Sequence, residues 1–301
     1  MRLAFIGLGN MGGGMAANLS RKGNQVTAYD ISKTALERAA AVGCKVAKSA
    51  AAAVQDAEAV ITMLPAGQHV RSVYDNSILL YAPKDAMLID CSTIYVTTAR
   101  ALCDMAAKSG FRYADAPVSG GVMAAEAGTL AFMVGCKRDD FETVKAILAP
   151  MSRITVHAGE AGAGQAAKIC NNMLLGISMI GVSEAFVLAE KLGLEAERFF
   201  EIANQSSGQC WSLSTYCPVE GVGPKTPADR HYEGGFASAM MLKDLKLAQE
   251  AAMRSGASTP MGSLAESLYS LLEANGFGKK DFSAVIQLLR GRLSDLRDAQ
   301  H

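Results

Sequence analysis

The chain has 301 residues, half of them apolar, with 29 Lys plus Arg balancing 29 Asp plus Glu. That length and apolar share suit two domains with substantial cores. The zero net charge excludes a global field favouring nucleic acid or an anionic membrane, so a small molecule is the expected partner. Seven cysteines, at 44, 91, 103, 136, 170, 210 and 217, and four histidines show no metal-ligand spacing. No metal is expected, and reduced thiols point to a cytoplasmic setting.

Arg2–Ile6 reads as a short strand that enters Gly7-Leu8-Gly9-Asn10-Met11-Gly12 without the apolar core of a signal peptide, so no export is expected. A helical pattern, Met15 to Leu19, follows, and then a second β-like run, Gln25–Tyr29, ending in Asp30. A lone G-x-G-x-x-G is weak evidence. Strand, glycine turn, helix, strand and acid in this order form a dinucleotide fingerprint. The first glycine permits the turn, the second admits a pyrophosphate, the third lets helix pack on strand, and the helix N-terminus attracts phosphate. Asp30, 18 residues after Gly12, would bind ribose hydroxyls and repel a 2′-phosphate, which argues for NAD over NADP. Lys33 works against that repulsion.

The alternation continues with Ala59–Met63 before Leu64-Pro65, Met87–Ile89 before Asp90-Cys91-Ser92-Thr93, and Phe111–Ala114 before a turn containing Ser119-Gly120-Gly121. Helical stretches lie around Lys33–Ala41, Val70–Leu80 and Thr97–Ser109. In an open parallel sheet ligands bind outside the carboxyl ends of the strands, so these strand-end segments should line one rim. Each can also be no more than a turn. Leu130–Val134 and Arg153–His157 read as further strands.

Gly162 to Gly193 contains no proline and reads as one helix, about 163–192, roughly 45 Å long. Asn171, Asn172 and Glu184 make it too polar for a membrane span. Lys168 lies among Ala166, Ala167, Ile169 and Cys170, although lysines are rarely buried without a partner. Asn172, four residues on, shares its face. A lysine here can equally snorkel from the helix end. Glu195–Asn204, Ala237–Arg254, Met261–Asn275 and Asp281–Arg290 also read as helices. Ser206–Gly235, irregular and holding the only tryptophan, Trp211, is a candidate lid, pocket wall or subunit contact. The expected organisation is an α/β Rossmann-like dinucleotide-binding domain, 1–162, followed by an all-α domain, 163–301, joined by the long helix.

GLGNMG near the start, MLPAG at 63–67, DCST at 90–93, DAPVSGGVMAAEAGTLAFMVG at 115–135, GAGQAAKICNN at 162–172 and GGFASAMMLKDLKLA at 234–248 together resemble the β-hydroxyacid dehydrogenase family. CWSLSTYCPVEG at 210–221 resembles its 3-hydroxyisobutyrate branch. The resemblance implies NAD-dependent oxidation of 3-hydroxyisobutyrate to methylmalonate semialdehyde by a homodimer or homotetramer. L-Serine or another small 3-hydroxy acid, tartronate semialdehyde reduction and a non-catalytic assembly module are the alternatives. It also implies Lys168 as the catalytic lysine and Ser119-Gly120-Gly121 as the grip on the substrate carboxylate. Asn172 would orient the substrate, and Lys243 would lie near the nicotinamide. The cofactor would be held by Gly7 to Gly12, Asp30, Leu64, Pro65, His69 and Thr93. His69 stands where relatives can carry asparagine, and Cys217 where asparagine is common before proline. A lysine that takes a hydroxyl proton must have its pKa lowered from about 10.4 toward about 7–8, which apolar neighbours favour.

Overall fold

The computed structural model describes residues 1–297. The chain divides into two compact units, Met1–Lys168 and the part from Ile169 onward, so the boundary falls inside the long helix.

In the first unit, β1 (Arg2–Ile6), β2 (Gln25–Tyr29), β3 (Lys45–Val46), β4 (Ala59–Thr62), β5 (Met87–Asp90), β6 (Arg112–Asp115), β7 (Val118–Ser119), β8 (Leu130–Gly135) and β9 (Ser152–Gly159) build one sheet. The order is 3-2-1-4-5-6-8-7, with β9 against β8. Strands β1 to β6 run parallel, whereas β8 is antiparallel to β6 and β7. Parallel neighbours require crossovers. These are α1 (Gly12–Arg21), α2 (Lys33–Ala41), α3 (Ala50–Val54), α4 (Gly67–Val73), continued by a wide turn into α5 (Leu79–Tyr81), and α6 (Val96–Lys108). The short α7 (Gly121–Ala127) and α8 (Phe141–Leu148) connect the later strands.

Strand residues alternate between two cores. Leu3 and Phe5 join Met15, Leu19, Ile61, Ile89 and Phe132 on one face. Ala4 and Ile6 join Val60, Tyr74, Leu88 and Leu102 on the other. The strand order reverses beside β1, where an open sheet leaves a crevice at its carboxyl edge.

Helix α9 runs from Ala163 to Lys191. In the second unit its later turns pack with α10 (Ala196–Asn204), α11 (Trp211–Ser214), α12 (Ser238–Ser255), α13 (Pro260–Leu272) and α14 (Val285–Leu289). Phe186, Met241, Tyr269 and Phe282 fill that core.

Several elements depart from the expectations above. The stretch 206–235, mostly irregular as expected, also holds α11 and a 3-10 turn, Pro227–Arg230, closed by a Thr226–Asp229 capping box. The helix expected over Met261–Asn275 is present as α13 continued by a wider turn, Glu273–Phe277, and Gly276, with φ +91°, breaks it just past the expected end. The helix expected over Asp281–Arg290 begins as a tight 3-10 turn, because Asp281 caps Ser283. Helix α9 is also long and apolar enough to cross a membrane by length and composition, with mean hydropathy 1.6, despite its asparagines and glutamate. Of that apolar window 44% is buried inside the protein.

Candidate active site

The glycine loop is the most constrained turn of the first unit. Gly7 has φ +98°, and a Cβ there would lie 2.2 Å from the Met63 carbonyl oxygen. One on Gly12 would lie 1.9 Å from the Gly7 carbonyl oxygen. By contrast, a Cβ on Gly9 would meet nothing within 4 Å. Two glycines are therefore required by packing, and the middle one leaves exposed backbone beside the start of α1. That is the cradle a pyrophosphate needs, so these residues fit a dinucleotide. Leu8 is buried, Asn10 exposed and Met11 half-buried.

Asp30 follows β2 and ties the loop down. Its Oδ2 accepts from the Leu8 N–H at 2.6 Å, and Oδ1 accepts from the Ser32 N–H at 2.7 Å. Lys33 points into solvent and lies 4.0 Å from Glu37. Ile31, 95% exposed beside Asp30, is an apolar surface that the sequence reading did not single out. After β4, the Leu64 N–H donates to Ser92 Oγ at 2.8 Å, while Pro65 and His69 are exposed. After β5, Thr93 is half-buried. After β6 and β7, Gly120 and Gly121 both take left-handed backbone, φ +132° and +70°, as the chain turns from Ser119 into α7. The parallel strands deliver all these segments to one edge of the sheet.

The first turn of α9 meets the same edge. Asp115, ending β6, accepts from the Gly162 N–H at 2.6 Å and the Gln165 N–H at 2.8 Å. Gln165, fully buried, donates from Nε2 to the Ser92 carbonyl at 2.7 Å and accepts at Oε1 from the Ile94 N–H at 3.0 Å. A Cβ on Gly164 would lie 2.3 Å from the Met133 carbonyl oxygen, so only glycine allows the helix so close to the sheet. Lys168 follows Gln165 by three residues and is buried. It belongs to this unit together with the whole glycine loop, Asp30 and the segments at 64, 93 and 119–121.

Asn172 and Lys243 fall in the second unit. There Asn172 Nδ2 donates to Asp244 Oδ2 at 2.5 Å, and Lys243 Nζ lies 3.3 Å from Asp244 Oδ1. Asp244 is buried and links the two residues, so it fixes which way the Asn172 amide faces. Sequence reading passed over Asp244, Gln165, Asp115 and Asp90. Each bonds partners distant in the chain, and no local motif announces that.

Two carboxyls under the edge titrate unusually. Burial pushes Asp115 up to about 6, with Gly162 and Gln165 N–H groups pulling against it. Burial likewise lifts Asp90 to about 6, against hydrogen bonds from Ser92 and Thr62. Unfolded aspartates titrate near 3.9, so the folded chain binds these protons more tightly. Stability should therefore rise as pH falls from about 7.5 to 5.5, by roughly 1–3 kcal/mol. Glu58 and Asp229, whose carboxyls are lowered, lose their contribution only at more acidic pH. Thermal melts across this range test the expectation, and Asp90→Asn should flatten the slope. A melting temperature that falls steadily over the same acidification would contradict it.

Residues 2–159 match the family described as the NAD binding domain of 6-phosphogluconate dehydrogenase. Residues 162–289 match the one described as NAD-binding of NADP-dependent 3-hydroxyisobutyrate dehydrogenase. The chain is 48% identical over 295 residues to a 3-hydroxyisobutyrate dehydrogenase of Pseudomonas aeruginosa, covering 96% of this chain and 99% of that one. It is 47% identical over 289 residues to an NAD-dependent L-serine dehydrogenase of the same organism, covering 95% and 97%. A solved Mycobacterium tuberculosis 3-hydroxyisobutyrate dehydrogenase with L-serine superposes with a TM-score of 0.93 at 47% identity, covering 96% of this chain and 98% of that one. With a dinucleotide cradle at the sheet edge and these full-length likenesses, the chain belongs to the 3-hydroxyisobutyrate dehydrogenase family, oxidoreductases that act on a CH–OH group with a nicotinamide dinucleotide.

Proposed function

We propose that this enzyme oxidises 3-hydroxyisobutyrate to methylmalonate semialdehyde with NAD, using Lys168 as general acid/base. The observation that carries the reading is the company Lys168 keeps. Its helix turn is bonded to the strand-end edge that bears the glycine loop, Asp30 and Thr93. A nicotinamide ring held at this edge would supply the hydride acceptor. The chain's own work is to hold the alcohol and move its proton. Lys168 takes the hydroxyl proton in oxidation and returns one in reduction. The backbone at Ser119-Gly120-Gly121 suits a carboxylate because glycine permits close approach. Asn172, its amide oriented by Asp244, steadies the substrate, and Thr93, Leu64, Pro65, His69 and Lys243 attend the cofactor.

NAD is preferred over NADP because both Asp30 oxygens face the loop and its flank, where a 2′-phosphate would meet negative charge. Lys33, beside Glu37, does little to offset it. A second reading, L-serine, is favoured by the relative of that name and by the solved relative with L-serine. Serine carries an ammonium where hydroxyisobutyrate carries a methyl, so the two demand opposite surroundings.

NADH formation should be measured across 3-hydroxyisobutyrate, L-serine, 3-hydroxypropionate and glycerate, with NAD and with NADP. The highest kcat/KM is expected for 3-hydroxyisobutyrate with NAD. A preference for serine moves the assignment to the second reading, and a preference for NADP removes the role given to Asp30. We also infer a homodimer or homotetramer, supported by the exposed Leu174 and Leu188 on α9 and Met261, Leu264 and Leu271 on α13. Seven cysteines without a disulfide support a cytoplasmic setting.

A further inference from the structure

We infer that Gln165 is a positioning residue, whose amide holds Thr93 and Lys168 at a fixed separation. The inference rests on the functional reading above, in which Lys168 moves the substrate proton and Thr93 attends the nicotinamide.

Gln165 is fully buried, and its side chain meets one acceptor and one donor: the Ser92 carbonyl at 2.7 Å and the Ile94 N–H at 3.0 Å. These two backbone groups flank Thr93. At neutral pH an amide supplies the matching donor and acceptor together, while an ionised carboxylate only accepts. Asn has the same groups on a stem one methylene shorter. The same residue's N–H donates to Asp115 Oδ2 at 2.8 Å, and Asp115 Oδ1 accepts from the Gly162 N–H at 2.6 Å. The start of α9 is thus held from two directions, by the end of β6 and by the loop after β5.

Lys168 lies three residues along the helix, about 60° around the axis from Gln165. Its exit direction is therefore set by the same turn that Gln165 and Asp115 fix. Removing the amide takes away these two bonds between the helix and the groups flanking Thr93 without touching the glycine loop or Asp30. Cofactor affinity should survive, and the geometry of the reacting groups should not. A misplacement of about 1 Å in such a constellation lowers turnover by about a hundredfold.

The test uses the full-length enzyme carrying Gln165→Met, which keeps the shape and removes both bonds, and Gln165→Glu. For the methionine variant we expect kcat to fall about 10- to 100-fold, with KM and the NADH dissociation constant, read by fluorescence titration, within about threefold of the parent. A protonated glutamic acid can donate to the Ser92 carbonyl while accepting from the Ile94 N–H. The kcat of Gln165→Glu relative to the parent should therefore rise about fivefold or more between pH 8 and pH 6 as the buried acid takes up its proton. A purely structural role would lower stability in both variants without this pH-dependent rescue. The inference is overturned by a methionine variant with parental kcat, by a loss carried wholly in NADH affinity, or by a glutamate variant whose relative kcat is flat with pH. A parent chain inactive on every hydroxy acid, yet still binding NADH, would instead overturn the functional reading and this inference with it.

Discussion

Lys168→Ala is expected to lower kcat at least about a hundredfold while leaving the dissociation constant for NAD within a few-fold of the parent. The asymmetry follows from where the residue sits. The groups suited to the dinucleotide, from the Gly7–Gly12 loop to Asp30, hang on β1, β2 and their own hydrogen bonds. Lys168 belongs to α9, attached to the sheet through Asp115 and Gln165. Removing its side chain leaves those attachments whole. A buried lysine can also serve packing alone, and alanine by itself does not separate the two roles. Lys168→Arg does. Arginine keeps the charge and most of the volume but stays protonated, so it cannot take the hydroxyl proton. If proton transfer is the role, both variants lose kcat by similar factors, and the pH dependence of kcat loses the limb that the lysine supplies. Turnover near the parental value in either variant would remove Lys168 from the chemistry.

How much of this was legible beforehand depends on the range of the interactions. The strand boundaries Arg2–Ile6 and Gln25–Tyr29 and the helix α2 lie where the hydrophobic pattern put them, because their signals are local and their breakers sit at the ends. Gly9 could be proposed for a pyrophosphate from spacing, and a Cβ there would meet nothing within 4 Å. Four short helices escaped notice, among them the single turn α11 inside the irregular stretch. In α3 an alanine run offers no amphipathic stripe, α7 begins at a glycine pair that reads as loop, and the Phe, Val and Ile of α8 are compatible with strand as well as helix. The support beneath the site was invisible for another reason. Gln165 reaches Ser92 and Ile94, and Asn172 reaches Asp244, across 71 to 73 residues of chain. A sequence displays donors and acceptors but not their pairing, so Lys168 could be proposed as the base while the amide and carboxylates bonded around it could not be singled out.

The same limit explains Asp281, where the largest effect on stability is expected. Fully buried in the second unit, its Oδ2 accepts from Tyr216 Oη–H at 2.9 Å and the Phe236 N–H at 2.8 Å. Its Oδ1 accepts from the Ser283 N–H at 3.0 Å and hydroxyl at 2.6 Å. A Cβ on Gly235, φ +71°, would lie 2.2 Å from Oδ2, so the chain passes directly over the carboxylate. One side chain thereby ties Tyr216, inside the irregular stretch, and Phe236, just past its end, to the turn that leads into α14. Asp281→Ala leaves four donors to be satisfied in a dry interior, which should destabilise the protein by about 3–5 kcal/mol. That corresponds to a melting-temperature drop on the order of 10 °C. Asp281→Asn should also destabilise, because an amide NH2 facing the Phe236 N–H sets donor against donor even if the Tyr216 hydroxyl turns to accept, whereas an oxygen at Oδ1 still serves Ser283. The chain's single tryptophan reports on the damage. Trp211 stacks on Tyr216 with ring centroids 4.8 Å apart, so its emission should change in both variants well below the melting temperature. Variants that melt with the parent and leave that emission untouched would show that the loop is held by its own packing and that the carboxylate is dispensable.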